Sequence, residues 1–151
     1  MSFKYHKIEQ FLKIAEAVAL QSPDSETKVG AVLIKNTTNA VVATGFNGFL
    51  RQAPDEKLPT TRPEKYEYIV HSEANLIYNC AKTGISMDDT TLVCTMSPCS
   101  MCMRALWQCG VTQVICRKLY TDHEDNKKLK DLALEVQQQK EYYILTFRPK
   151  G

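Results

Sequence analysis

The stretch TTLVCTMSPCSMCMRALWQCG (residues 90–110) changes character at Ser97. Thr90–Met96 is a short β-branched and apolar run, the composition of a buried strand. Ser97 suits a helix N-cap, Pro98 the first helical position and Gly110 a stop signal, so a helix is expected to follow. A strand that feeds a helix in this way puts Cys99 and Cys102, three apart, on one face of the first turn. The positive end of the helix favours thiolate there. A redox pair and a pair of metal ligands would both use that arrangement, and the spacing alone does not separate them.

Outward toward the N-terminus, HSEANLIYNCAKTG (residues 71–84) predicts a helix stopped by Gly84. VGAVLIK and AVVATGFN flank NTTN and predict a hairpin. SPDSET (residues 22–27) reads as a loop, and residues 5–20 as an amphipathic helix with Ile8, Phe11, Leu12, Ala15 and Val18 on one face. Pro54, Pro59 and Pro63 rule out a continuous element over about 48–68, a long insertion loop of the kind that carries function or moves. Outward toward the C-terminus, VTQVICRKLY predicts a strand, residues 122–140 a helix and YYILTF a last strand. The order α-β-β-α-β-α-β-α-β predicts an α/β fold: a three-layer α/β/α sandwich with a mixed five-stranded sheet covered by helices on both faces. One domain over residues 1–151 is expected.

Of the 151 residues, 44% are hydrophobic, enough for a core, and the charged residues do not gather in tails, which argues against disorder. A formal net charge of +2 permits an anionic ligand but lacks the basic excess of a nucleic-acid binder. Lys7, Glu9, Lys13 and Glu16 interrupt any leader-like apolar run, and no stretch reaches the roughly 20 apolar residues of a membrane span. A cytoplasmic protein is expected. In that compartment six cysteines read as ligands, nucleophiles or core residues before disulfides.

A thioredoxin-like reading of the cysteine pair leaves His71-Ser72-Glu73 unexplained. A closed structural zinc site needs four protein ligands. Cys109 lies seven residues beyond Cys102, about 10 Å along a helix, too far for a shared ion. Cys94 and Cys116 fall in strand patterns and Cys80 in a helix, where packed thiols are the default, and His6 and His123 read as surface residues. His71, Cys99 and Cys102 remain. Three protein ligands is the form of a catalytic zinc site, and Glu73 beside it is placed to act as a general base.

HSE followed by PCSMC matches H-x-E…P-C-x-x-C, the signature of zinc nucleobase deaminases. The chain resembles the cytidine deaminase superfamily, and within it the deoxycytidylate (dCMP) deaminases. VGAVLI, GFNG, KYEYIVHSEAN, SPCSMC and LY carry the resemblance in order, from about Val29 to Tyr120. Ser72 stands where many members have Ala. The insertion has no Cys or His before His71, so the second, structural zinc of some members is not expected.

The resemblance implies hydrolytic deamination of dCMP to dUMP and ammonia, with one catalytic Zn²⁺ on His71, Cys99 and Cys102 and with Glu73 moving the protons. It implies that Asn47 of GFNG meets the sugar and that backbone groups of Ser72 and Ser97 read the base edge. Lys28 and Tyr120 are the candidates for the 5′-phosphate. It further implies a homohexamer activated by dCTP and inhibited by dTTP, with Mg²⁺ on the triphosphate. Gly45, Asn47, Gly48, Arg51, Arg62 and Lys65 are the candidates for that allosteric site. Two alternatives stand beside this reading: a tRNA adenosine deaminase-like enzyme, and a non-catalytic zinc-bearing or nucleotide-sensing module.

Overall fold

A computed structural model describes residues 5–119 and 134–147. Helix α1 (Tyr5–Ala19) leads into the hairpin β1 (Gly30–Lys35) and β2 (Val41–Phe46). Then come α2 (Ser72–Thr83), β3 (Thr90–Met96), α3 (Ser100–Gln108) and β4 (Val111–Lys118). The hairpin β5 (Leu134–Gln138) and β6 (Tyr143–Phe147) follows. The strands form one sheet in the order β2-β1-β3-β4-β6-β5. β3 and β4 run parallel and every other neighbouring pair is antiparallel.

The middle of each of the three central strands, residues 31–34, 92–94 and 114–116, is apolar and buried because both of its faces are covered. Side-chain alternation then sorts them into two cores. Ala31, Leu33, Leu92, Cys94, Val114 and Cys116 face α2 and α3, packing with Leu76, Met103 and Leu106. Val32, Ile34, Val93 and Ile115 face α1, packing with Ile8, Leu12 and Ala15. The three-layer arrangement expected from the sequence is therefore present. Among the described residues no helix is long and apolar enough to cross a membrane.

Two boundaries differ from expectation. The sheet has six strands among the described residues, not five, because Leu134–Gln138 pairs antiparallel with β6 instead of ending a helix. Tyr120, His123 and residues 122–133 of the helix expected over 122–140 lie outside the described residues. Helix α3 starts at Ser100 with Cys99, in extended backbone (φ −67°, ψ 166°), as its N-cap. Ser97 is not the cap, since its N–H donates to the Lys118 carbonyl (2.8 Å) and prolongs the β3–β4 pairing.

The segment between β2 and α2 is closed at its base. Gly48 and Val70 exchange two backbone hydrogen bonds, 3.0 and 2.7 Å, so the insertion leaves and returns at one point beside His71. Within it are two short 3-10 turns, Asp55–Lys57 and Glu64–Glu67.

Candidate active site

The N-termini of α2 and α3 converge beyond the carboxyl end of β3. His71 is the N-cap of α2 and Cys99 that of α3, both in extended backbone, and neither side chain makes a capping hydrogen bond. Two positive helix ends thus face one spot, where they favour thiolate and carboxylate. Gly45 permits the close fit of β2 under this end of α2: a Cβ there would stand 2.5 Å from the Ser72 carbonyl oxygen and 2.8 Å from Leu76 Cβ.

His71 Nδ1 lies 3.7 Å from Cys99 Sγ and 3.8 Å from Cys102 Sγ, and the three donor atoms fall within 4.8 Å of one another. A tetrahedral ion with Zn–N of about 2.05 Å and Zn–S of about 2.3 Å would set N···S near 3.6 Å and S···S near 3.8 Å. The imidazole and two thiols therefore fit zinc in type and in spacing. Among the described residues they are the one such cluster. Hydrogen bonds from Cys102 and His71 pull the Cys99 thiol down to about 4, and its contact with Cys99 pushes the Cys102 thiol up. The His71 imidazole is raised by its hydrogen bond to Cys99.

Glu73 is buried, 4% exposed, at the floor of the same site. Its carboxyl accepts a hydrogen bond from Ser72 Oγ at 2.9 Å, which fixes its orientation. Burial raises its pKa above the ordinary carboxylate value, so it can both take up and return a proton. Cys94 and Cys116 lie across the β3–β4 pairing, buried and kept neutral by desolvation, and the field of Glu73 reaches both.

One cavity of about 380 Å³ joins this centre to the insertion. His71, Ser72, Glu73, Ser97 and Cys99 line one part of it, with Asn47 beside them. Asp24, Thr27, Arg62, Lys65 and Tyr66 also line it. Arg62 and Lys65, expected at a separate regulatory site, thus share the cavity of Glu73. Asn47 is buried and its amide is engaged: Oδ1 accepts from the Val29 N–H (2.8 Å), and Nδ2 donates to the Thr27 carbonyl (2.9 Å) and Asp24 Oδ2 (3.3 Å). The Ser97 N–H is committed to Lys118, so that group does not face the cavity. Lys28 does not line the cavity; its ammonium donates to the Ser22 carbonyl and it borders a neighbouring hollow with Lys118 and Lys140. Arg51 also lies outside it, donating to Asn79 Oδ1 on α2, and Gly48 is held in the bridge to Val70.

Sequence reading missed the pair that joins insertion to core. Lys65 Nζ sits 2.7 and 3.0 Å from the Asp24 carboxylate oxygens, each side chain 3% exposed. Asp24 also accepts from the N–H groups of Glu26 (2.8 Å) and Thr27 (3.0 Å). The only signal for it was SPDSET, whose Asp can organise a turn through the N–H groups that follow. Nothing in KYEY marks Lys65 as buried.

The sequence pattern described as the cytidine and deoxycytidylate deaminase zinc-binding region matches residues 5–118. A probable deoxycytidylate deaminase of Drosophila melanogaster is 33% identical over 121 residues, 73% of this chain and 58% of its own length. One of Caenorhabditis elegans is 36% identical over 112 residues, 72% of this chain and 55% of its own. The chain thus spans little more than half the length of these relatives. The crystal structure of dCMP deaminase from the cyanophage S-TIM5 in complex with dCMP and dUMP superposes with a TM-score of 0.74 at 29% identity. That match covers 91% of this chain and all of the phage chain.

Proposed function

The chain belongs to the cytidine and deoxycytidylate deaminase family, and from that membership we propose that it is a zinc-dependent hydrolase converting dCMP and water to dUMP and ammonia. The observation that carries the reading is the set of His71, Cys99 and Cys102 at zinc-binding distances beside a buried Glu73, in one cavity with Arg62 and Lys65 of the insertion. The likeness to the phage enzyme, whose structure holds dCMP and dUMP, supports the choice of nucleotide.

Zinc, when bound by His71, Cys99 and Cys102, supplies Lewis acidity that lowers the pKa of water from 15.7 toward about 7. Glu73 performs the proton transfers. Its carboxylate takes one proton from the attacking water and passes it to N3 of the pyrimidine, then takes the second from the hydroxyl added at C4 and delivers it to the amine, which leaves as ammonia as the C4 carbonyl forms. Ser72 Oγ keeps the carboxyl aimed, and burial keeps bulk solvent from competing for the proton. Helix α2 presents His71 and Glu73 from its first turn, so metal and proton carrier are fixed to one rigid element.

The test is ammonia release from dCMP, deoxycytidine, CMP and dCTP by the zinc-loaded protein, beside inosine formation in tRNA. Turnover of dCMP with none on tRNA is expected. Inosine formation without dCMP turnover would favour the tRNA deaminase reading, and silence on all substrates the non-catalytic one. Glu73→Gln is expected to retain one zinc per chain and to lose at least about 100-fold in kcat, the scale of positioned acid–base catalysis. Full activity with zinc loaded would refute its role.

Regulation extends the same proposal: a hexamer, activated by dCTP and inhibited by dTTP with Mg²⁺ on the triphosphate. Gly48 and Arg51 lie outside the catalytic cavity, which is compatible with a second nucleotide there. A rate unaltered by added dCTP and dTTP would count against it.

A further inference from the structure

The cavity shared by Glu73 and the insertion contains two cations that are not equivalent. Lys65 is 3% exposed and neutralised by Asp24 at 2.7 Å, so it is closed to an arriving anion. Arg62 is different. Its side chain is 46% exposed, and among the described residues the guanidinium's one contact with a carboxylate, Nη1 to Glu26 Oε2, is long at 3.5 Å. Two hydroxyls hold it: Nε donates to Tyr66 Oη at 2.6 Å and Nη2 to Thr27 Oγ1 at 2.9 Å. Each hydroxyl accepts from the guanidinium, so its own proton is left to donate. A fixed guanidinium flanked by two O–H donors is a receptor for a tetrahedral oxyanion.

We infer that Arg62, with the hydroxyls of Thr27 and Tyr66, binds the 5′-phosphate of the substrate and is the residue by which this protein selects a nucleotide over a nucleoside. The inference rests on the deaminase reading above. It moves Arg62 from the regulatory role suggested by the sequence to substrate recognition in the cavity of Glu73. It also gives Lys65 and Asp24 a use. Their buried pair and the bond from the Arg62 N–H to Glu26 Oε1 (2.5 Å) pin the insertion where the guanidinium meets Thr27. Glu26 also contacts Lys65 Nζ at 3.4 Å, so it keeps a partner when a phosphate draws the Arg62 side chain away from it.

The experiment compares kcat/KM for dCMP and deoxycytidine in wild type, Arg62→Gln and Tyr66→Phe, with calorimetric binding of dUMP to each zinc-loaded protein. Loss of a charge-assisted contact is expected to lower kcat/KM for dCMP about 10- to 100-fold in Arg62→Gln. Deoxycytidine should fall far less, so that the ratio of the two drops at least about tenfold. Affinity for dUMP should fall in parallel with the dCMP value. Tyr66→Phe should shift the same ratio by a few-fold, with the guanidinium still present. Equal losses for both substrates would mean that Arg62 only holds the insertion in place, and an unchanged ratio would mean that the phosphate binds elsewhere; either overturns the assignment. Wild type that turns over neither substrate sinks the deaminase reading by itself. In that case equal dUMP affinity in wild type and Arg62→Gln overturns this inference separately.

Discussion

Lys65→Met removes one member of the buried pair that fastens the insertion to the core. Both side chains are 3% exposed, so Asp24 would be left as a buried charge. Breaking a buried pair in this way costs about 3–5 kcal/mol. Asp24 keeps the N–H groups of Glu26 and Thr27 and the amide of Asn47, which points to the lower end, about 3 kcal/mol. For a chain of this size that corresponds to a fall of roughly 6–12 °C in Tm. Urea unfolding of the zinc-loaded protein at pH 7 measures it directly. The effect has a definite pH dependence. Burial pushes the Asp24 carboxyl up, but Lys65 and the N–H groups of Thr27 and Glu26 more than reverse this, leaving it below the ordinary value. A carboxylate lowered on folding contributes its stability above the unfolded pKa, about 3.9, and loses it as pH falls through the folded value. The gap between wild type and Lys65→Met should therefore be full at pH 7 and shrink below about pH 4. A loss under about 1 kcal/mol at pH 7, or a gap that stays constant into the acid range, would refute the pair as the fastening of the insertion.

Gly45→Ala puts a methyl group 2.5 Å from the Ser72 carbonyl oxygen, so the first turn of α2 must move off β2. A stability loss of about 1–3 kcal/mol is expected, with kcat falling more than KM rises because Glu73 rides on that turn; unfolding curves and steady-state kinetics check both. Arg117→Met unties α1 from β4, since the guanidinium joins Glu9 at 2.7 and 2.8 Å and Glu16 at 2.8 Å. About 1 kcal/mol of stability should be lost, less at high salt, as read by urea midpoints across ionic strength.

The candidate site was legible because its parts are local. H-x-E and P-C-x-x-C each sit at the start of a helix, and a helix start fixes direction within one turn, so the pattern alone implies that His71 and the two cysteines face one another. The central strands were legible for a related reason: burial on both faces leaves a short apolar run in the middle of each, as in residues 92–94 and 114–116. β5 was not. As an edge strand it has solvated Gln137 and Gln138, and the spacing of Leu129, Leu132, Ala133 and Val136 reads as helical. The cap of α3 was misread because Ser97, a good cap by residue type, is held by a long-range bond to Lys118 that no local pattern contains. Arg62, Lys65 and Tyr66 come from one side of the insertion and Asp24 and Thr27 from a loop some 40 residues earlier in the chain. Such a meeting is tertiary, and KYEY carries no trace of it.

The pairing of Gly48 with Val70 makes the intervening segment replaceable. Because its two ends already touch, adding residues between them raises the entropic penalty of closure only slightly, by about 0.6 kcal/mol for each doubling of length. The outer turn over residues 50–57 could then be lengthened, cut or exchanged without disturbing the cavity around Glu73, provided that residues 60–66 are left intact. An engineer seeking a new specificity would graft there, and lineages diverging in what they recognise would be expected to vary at the same place.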